Sequence, residues 1–166
     1  MRLGTVFAML WAFALPASLH GDEPSSSKHQ MGAFELFPAD KTIWKDGPPS
    51  LPKGAQIAVL EGDPDKEGPF VFRVKAPDGY RIPPHTHPKT ERITVISGTF
   101  HVGMGDKLDR QATQTLEAGG FVSLPGSMRH FAWTATPTVV QINLEGPFDL
   151  FYVNPTEDPQ KLQTKR

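Results

Sequence analysis

The chain contains no cysteine. That excludes a disulfide framework, a thiolate metal site and a lipid-bearing cysteine. Nor does it carry an excess of charge of either sign. Seventeen Lys and Arg against eighteen Asp and Glu leave a formal net charge of −1, and nothing in that balance points to nucleic acid as a partner. No internal repeat occurs in the 166 residues, a length that suits one domain with a sizeable core. What is plentiful is turn chemistry. Seventeen prolines and fifteen glycines imply short strands joined by many turns and disfavour a helical bundle.

The one long apolar run lies at the start. Arg2 precedes the uncharged stretch Leu3 to Leu15, Pro16 breaks it, and small residues Ala17, Ser18 and Gly21 follow. This reads as a signal peptide over residues 1–21, cleaved after Ala17 or Gly21. Read as an uncleaved anchor, the same run is short for a bilayer once Pro16 is counted. The expectation is an exported protein, periplasmic or extracellular, with no membrane attachment after cleavage. Residues 22–33 are polar and Ser-rich, a flexible linker in which His29, like His20 before it, is solvated. Phe34 to Phe37 suits an edge strand. Trp44, Pro48, Pro49 and Pro52 belong to a loop that crosses the domain surface or lines the mouth of a pocket. The tail from Asn154 to Arg166 is polar and expected to fray.

From Ala55 the β pattern is regular. Gln56 to Leu60 and Phe70 to Lys75 flank the turn chemistry of Gly62-Asp63-Pro64 and Gly68, and so form a hairpin in which Phe70, Phe72 and Val74 share a face. Strand-like segments then recur at short spacing to Phe148–Val153, about ten in all, the signature of an antiparallel all-β sandwich or barrel. In Val139 to Glu145, Val140, Ile142 and Leu144 take the core side; Gln141, Asn143 and Glu145 take the solvent side.

Between Gly79 and Gly98 the chain places His85, His87 and Glu91. On an extended strand residues i and i+2 share a face, roughly 6.5–7 Å apart, so the two imidazoles can converge on one ion. Pro83, Pro84 and Pro88 argue against a helix here. Glu91 falls in line with Ile93 and Val95, which points a carboxylate into the core, where it is costly without a partner. A metal would be that partner. His130 opens a later strand-like run and supplies a fourth ligand. If it points inward, so do Ala132 and Thr134, leaving Phe131 and Trp133 outside. Two large aromatics there need a cover: the N-terminal segment, a second subunit or the Trp44 loop. His101 alternates with Phe100 and Val102, takes the solvent face and is not counted as a ligand.

The spacing G-x5-H-x-H-x3-E-x6-G, met by Gly79, His85, His87, Glu91 and Gly98, resembles the first motif of the cupin superfamily (residues 79–98). The second motif (residues 119–134) is met in part, by Gly119, Pro125 and His130. Ser127 stands where the family has glycine, and Thr134 where it often has asparagine. Pro125-Gly126 carries a type II turn signature, with Gly126 expected to supply the positive φ. The resemblance covers roughly residues 55–152 and implies an antiparallel cupin jelly-roll β-barrel, a single domain over residues 34–153, in a family where homodimers are common.

Imidazole and carboxylate ligands suit one divalent transition metal, Fe, Mn, Zn, Ni or Cu(II), and disfavour Cu(I). Four protein ligands on an ion that prefers six leave two positions for water, dioxygen or a small-molecule ligand or substrate. Glu91 could also act as a base. The resemblance implies a metal-dependent enzyme, a dioxygenase or other oxidoreductase acting on a small organic molecule. The alternative is a binding module that captures a metal or small ligand without turning it over; no second acid/base constellation is visible beside the four ligands.

Overall fold

The computed structural model describes residues 34–163. The signal peptide and linker expected over residues 1–33 lie outside them. The described chain contributes eleven strands: β1 Lys45–Asp46, β2 Gln56–Glu61, β3 Gly68–Ala76, β4 Arg81–Thr86, β5 Glu91–Ser97, β6 Thr99–Met104, β7 Thr113–Glu117, β8 Phe121–Leu124, β9 His130–Thr134, β10 Thr138–Gly146 and β11 Phe151–Tyr152. They form two antiparallel sheets, one of six strands in the order β1-β2-β3-β10-β5-β8 and one of five in the order β11-β4-β9-β6-β7. From β3 to β6 and again from β8 to β11 each strand crosses to the opposite sheet. That weaving is the cupin jelly roll expected from the motifs.

Alternation builds the core. In β10 every second residue is buried, and Val140, Ile142 and Leu144 face inward as expected. On the outer face the Gln141 side chain accepts a 3.3 Å hydrogen bond from Arg73 Nε. Phe70 and Phe72 stack at 5.5 Å between ring centroids, and Phe148 meets both edge-on at 6.3 and 5.6 Å. Val95, Leu124 and Phe70 are all but inaccessible. Each such side chain stabilises the fold by about 1.5–3 kcal/mol relative to exposure. Gly98 turns β5 into β6 with φ +80, and a side chain there would strike Pro137 and Thr138. Only glycine fits both demands.

Three expectations are corrected. Phe34–Phe37 forms no strand. The edge position belongs to β1, whose polar Lys45-Asp46 pairs with β2 and is exposed on both residues. The tail is not plain coil: Asn154 and Asp158 each precede a proline and accept a backbone N–H two residues on, starting a 3-10 turn and the short helix α1, Pro159–Gln163. Finally, the aromatics opposite His130 are covered locally and not by the Trp44 loop. Phe131 is fully buried, its ring lying across Gly103 of the neighbouring β6. Trp133 stacks on His101 at 3.8 Å with the Arg110 guanidinium 4.5 Å from its ring centroid. Trp44 instead lies by Lys75, on the other sheet. Among the described residues no helix is long and apolar enough to cross a membrane.

Candidate metal centre

The four residues singled out in the sequence meet at one end of the two sheets. His85 on β4 and His130 on β9 are direct cross-strand partners in the five-stranded sheet. Glu91 opens β5 in the six-stranded sheet, and His87 sits in the connection that carries the chain from one sheet to the other. All four are buried, none more than 5% exposed. The three histidines present one ligand atom each within 4.8 Å of one another. Glu91 Oε2 lies 3.5 Å from His87 Nε2 and 3.4 Å from His130 Nε2.

Each imidazole is held by a backbone carbonyl. His85 Nδ1 lies 2.7 Å from the Pro83 oxygen, His87 Nδ1 2.8 Å from that of Asp149, and His130 Nδ1 3.0 Å from that of Met128. A carbonyl can only accept, so each of these nitrogens carries the hydrogen. The neutral tautomer is thereby fixed and the Nε2 lone pairs are left free, the orientation in which histidines ligate a metal through Nε2. Three lone pairs and a carboxylate facing one point repel one another without a cation among them. Burial pushes His85 down to about 3, helped by charge on His130 and His87, so it is neutral at pH 7 with its lone pair available. Burial alone would push the Glu91 carboxyl up. Protonated imidazoles reverse that: a hydrogen bond from His130 Nε2, once that nitrogen carries a hydrogen, and the positive charge of His87, His130 and His85 hold the carboxyl below its ordinary range.

The turn that presents His130 differs from expectation. Its positive φ falls on Ser127, at +63, and not on Gly126. Gly126 is needed for closeness: a Cβ there would come within 2.6 Å of the Pro88 carbonyl oxygen. Ser127 thus occupies the left-handed position in which the cupin motif has glycine, and its N–H donates to the His87 carbonyl at 2.7 Å, tying the turn to the other histidine segment. Thr134 does structural work far from the imidazoles. Its hydroxyl donates to the Pro77 carbonyl at 2.7 Å and accepts from the Tyr80 N–H at 3.2 Å, which pins the start of β4 to β9.

His101 is where it was expected, on the outer face. Sequence reading missed Phe148, whose ring lies 5.4 Å from that of His87, and Asp149, whose carbonyl orients it. A backbone carbonyl contributed from 62 residues away leaves no mark in the pattern of side chains.

On the inner side His85, Glu91 and His130 border an apolar cavity of about 40 Å³ that runs between the sheets. The donor set, its tied Nδ1 atoms and its burial fit a divalent transition ion.

Residues 52–158 match the family model described as domain of unknown function (DUF4437). Germin-like protein 3-1 of Oryza sativa subsp. japonica is 35% identical over 101 residues, which are 54% of this chain and 45% of the rice protein. The chain therefore spans about half the length of that relative. The polyketide cyclase RemF of Streptomyces resistomycificus superposes with TM-score 0.63 at 16% identity, over 80% of this chain and 94% of RemF. An RmlC-like cupin of Shewanella frigidimarina superposes with TM-score 0.53 at 18% identity, over 68% and 91%. At such identities the two structures establish the fold alone. Sequence motif, family match and fold agree, and the chain belongs to the DUF4437 family of the cupin superfamily.

Proposed function

We propose that this protein is an exported metal-binding cupin in which His85, His87, Glu91 and His130 hold one divalent transition ion, and that it is a metal-dependent oxidoreductase of the dioxygenase kind acting on a small molecule. One observation carries the metal: every Nδ1 is committed to a carbonyl, so three Nε2 lone pairs converge beside a buried carboxylate. Such an ion supplies Lewis acidity and, when it is iron, manganese or copper, electron transfer. The chain's own residues orient the imidazoles, exclude bulk water and present the cavity as the approach to the ion. Glu91, held as a carboxylate, is assigned to ligation first and to proton acceptance second. Export rests on the character of residues 1–21.

The binding-module reading is favoured by a different observation. Beyond His85, Glu91 and His130 the one titratable side chain bordering the cavity among the described residues is Tyr80, and its hydroxyl is committed to the Pro52 carbonyl. The deciding experiment is elemental analysis of untagged protein prepared without chelators, beside His130→Ala, followed by oxygen-uptake measurements. Near-stoichiometric iron, manganese or copper that is lost in the variant, with oxygen consumed by the wild type, is the expected result. Metal without consumption of oxygen or of any added substrate moves the binding module to first place. Equal traces of metal in both proteins overturn the metal site.

A further inference from the structure

We propose that the interior cavity is a molecular ruler: the centre accepts only molecules of about four heavy atoms or fewer that carry a single polar head, and excludes ring-sized substrates and dicarboxylates whose second carboxylate cannot also reach the ion. This rests on the metal reading above and narrows its substrate class. The first argument is volume. About 40 Å³ is room for about three waters at 10–15 Å³ each.

The second argument is the chemistry of the wall. Away from the centre it is made largely of Val74, Ile93, Phe100, Val140 and Ile142, drawn from both sheets and packed in the core. Its hydroxyls are already engaged, while the indole Nε1 of Trp133 is buried without a hydrogen-bond partner. The Tyr80 hydroxyl donates to the Pro52 carbonyl at 2.7 Å, that of Thr134 to Pro77 at 2.7 Å, and that of Thr138 to the carbonyls of Thr136 and Thr99 at 2.9 and 3.1 Å. Trp133 borders the cavity too, but its indole is turned outward against His101. No lysine, arginine, asparagine or glutamine faces the space. A second charged group on a ligand would be buried there without a partner, which costs several kcal/mol per ion.

The third argument is direction. His85, Glu91 and His130 border the cavity and His87 does not; the His87 ring has Phe148 beside it at 5.4 Å, and its Nδ1 is committed to Asp149. A further ligand therefore reaches the ion from the cavity side, where length and charge are both restricted.

The test uses the full chain loaded with cobalt(II), whose visible bands report any group that joins the ion. Formate, acetate, butyrate, hexanoate and fumarate are titrated in turn. Hexanoate and fumarate have the same number of heavy atoms, and the trans carboxylates of fumarate cannot both reach one ion, so size and second charge are separated. Formate and acetate should perturb the bands, and the other three should bind about tenfold or more weakly, since overfilling a packed cavity and burying an unpaired charge are both unfavourable. Ile142→Ala should strengthen binding of butyrate but not of fumarate; Val140→Ala serves the same purpose if that variant does not fold. Butyrate or fumarate bound by the wild type as tightly as acetate overturns the proposal while leaving the metal site standing, as does a cut-off unmoved in a folded wall variant. Absence of cobalt bands overturns the metal reading and this proposal with it.

Discussion

Acidification should weaken the metal-free protein through His85. Its pKa falls from 6.5 to about 3 on folding, because burial and the neighbouring imidazoles disfavour the imidazolium. The unfolded chain therefore binds the proton first. Stability is complete above pH 6.5 and declines as the pH drops towards 3, by 1.36 kcal/mol per unit in the linear part. Between pH 7.5 and 5 the loss is about 2 kcal/mol, or a fall in Tm of about 6–10 °C for a domain of this size. Glu91 acts in the same direction but lower. Its folded pKa lies below 4.5, so the stability it contributes is present above that value and is lost only as the pH falls further. The window above pH 5 separates His85 from Glu91, and His101, lowered by partial burial and the Arg110 charge, adds to the same decline with or without His85. The assay is thermal unfolding of chelator-treated protein across that window, with His85→Gln alongside. The decline should be shallower in the variant than in the wild type. A flat wild-type profile, or equal slopes in both proteins, would refute the claim that His85 is buried as the neutral imidazole.

Ser127→Gly should raise stability by about 0.5–1 kcal/mol, since it relieves a left-handed conformation costing about 1–2 kcal/mol against a smaller gain in unfolded-chain entropy; a lower midpoint in urea would contradict this. Gly103→Ala sets a methyl into the Phe131 ring and should destabilise by about 1–3 kcal/mol while leaving metal content unchanged. Thr134→Val keeps the shape but leaves the Tyr80 N–H and the Pro77 carbonyl without their best partner, a cost of about 1–3 kcal/mol; loss of bound metal at unchanged stability would instead place Thr134 in the centre. Chelation should lower the Tm of the wild type and leave that of His130→Ala unmoved, because only a protein that holds the ion when folded gains stability from it.

The strands were legible because they alternate. Phe70, Phe72 and Val74, or Val140, Ile142 and Leu144, can be buried together only if the intervening residues face out, and a period of two has one structural solution. That His85, His87, Glu91 and His130 lie together was legible for a related reason: a histidine pair at i and i+2 and a glutamate in phase with Ile93 are anomalous within such a pattern unless something draws them together. β1 was not legible. Lys45-Asp46 is a strand only because β2 offers it an edge, and nothing apolar marks it. The tail carried a signal that its polarity obscured, since Asn154-Pro155 and Asp158-Pro159 both place a capping side chain before a proline. The turn before His130 shows a third limit. Pro-Gly suggested positive φ at Gly126, yet the close approach to Pro88 had already claimed that glycine, and the left-handed residue became Ser127. Local propensity cannot register a contact with a carbonyl 38 residues away in sequence.

That displaced turn bears on what assembles the centre. The Ser127 N–H donates to the His87 carbonyl and Asp149 accepts from His87 Nδ1, so the β4–β5 crossing is tied to the β8–β9 turn through its backbone and to the β10–β11 connection through the His87 imidazole, while Met128 in that turn accepts from His130 Nδ1. Glu91 adds the six-stranded sheet to that set. An ion bound by all four would join the two sheets where their connecting segments meet. Its binding free energy would then oppose the separation of those segments as well as filling a site, and this end of the molecule should lose hydrogen-exchange protection on chelation while the far ends of β3 and β10 keep theirs.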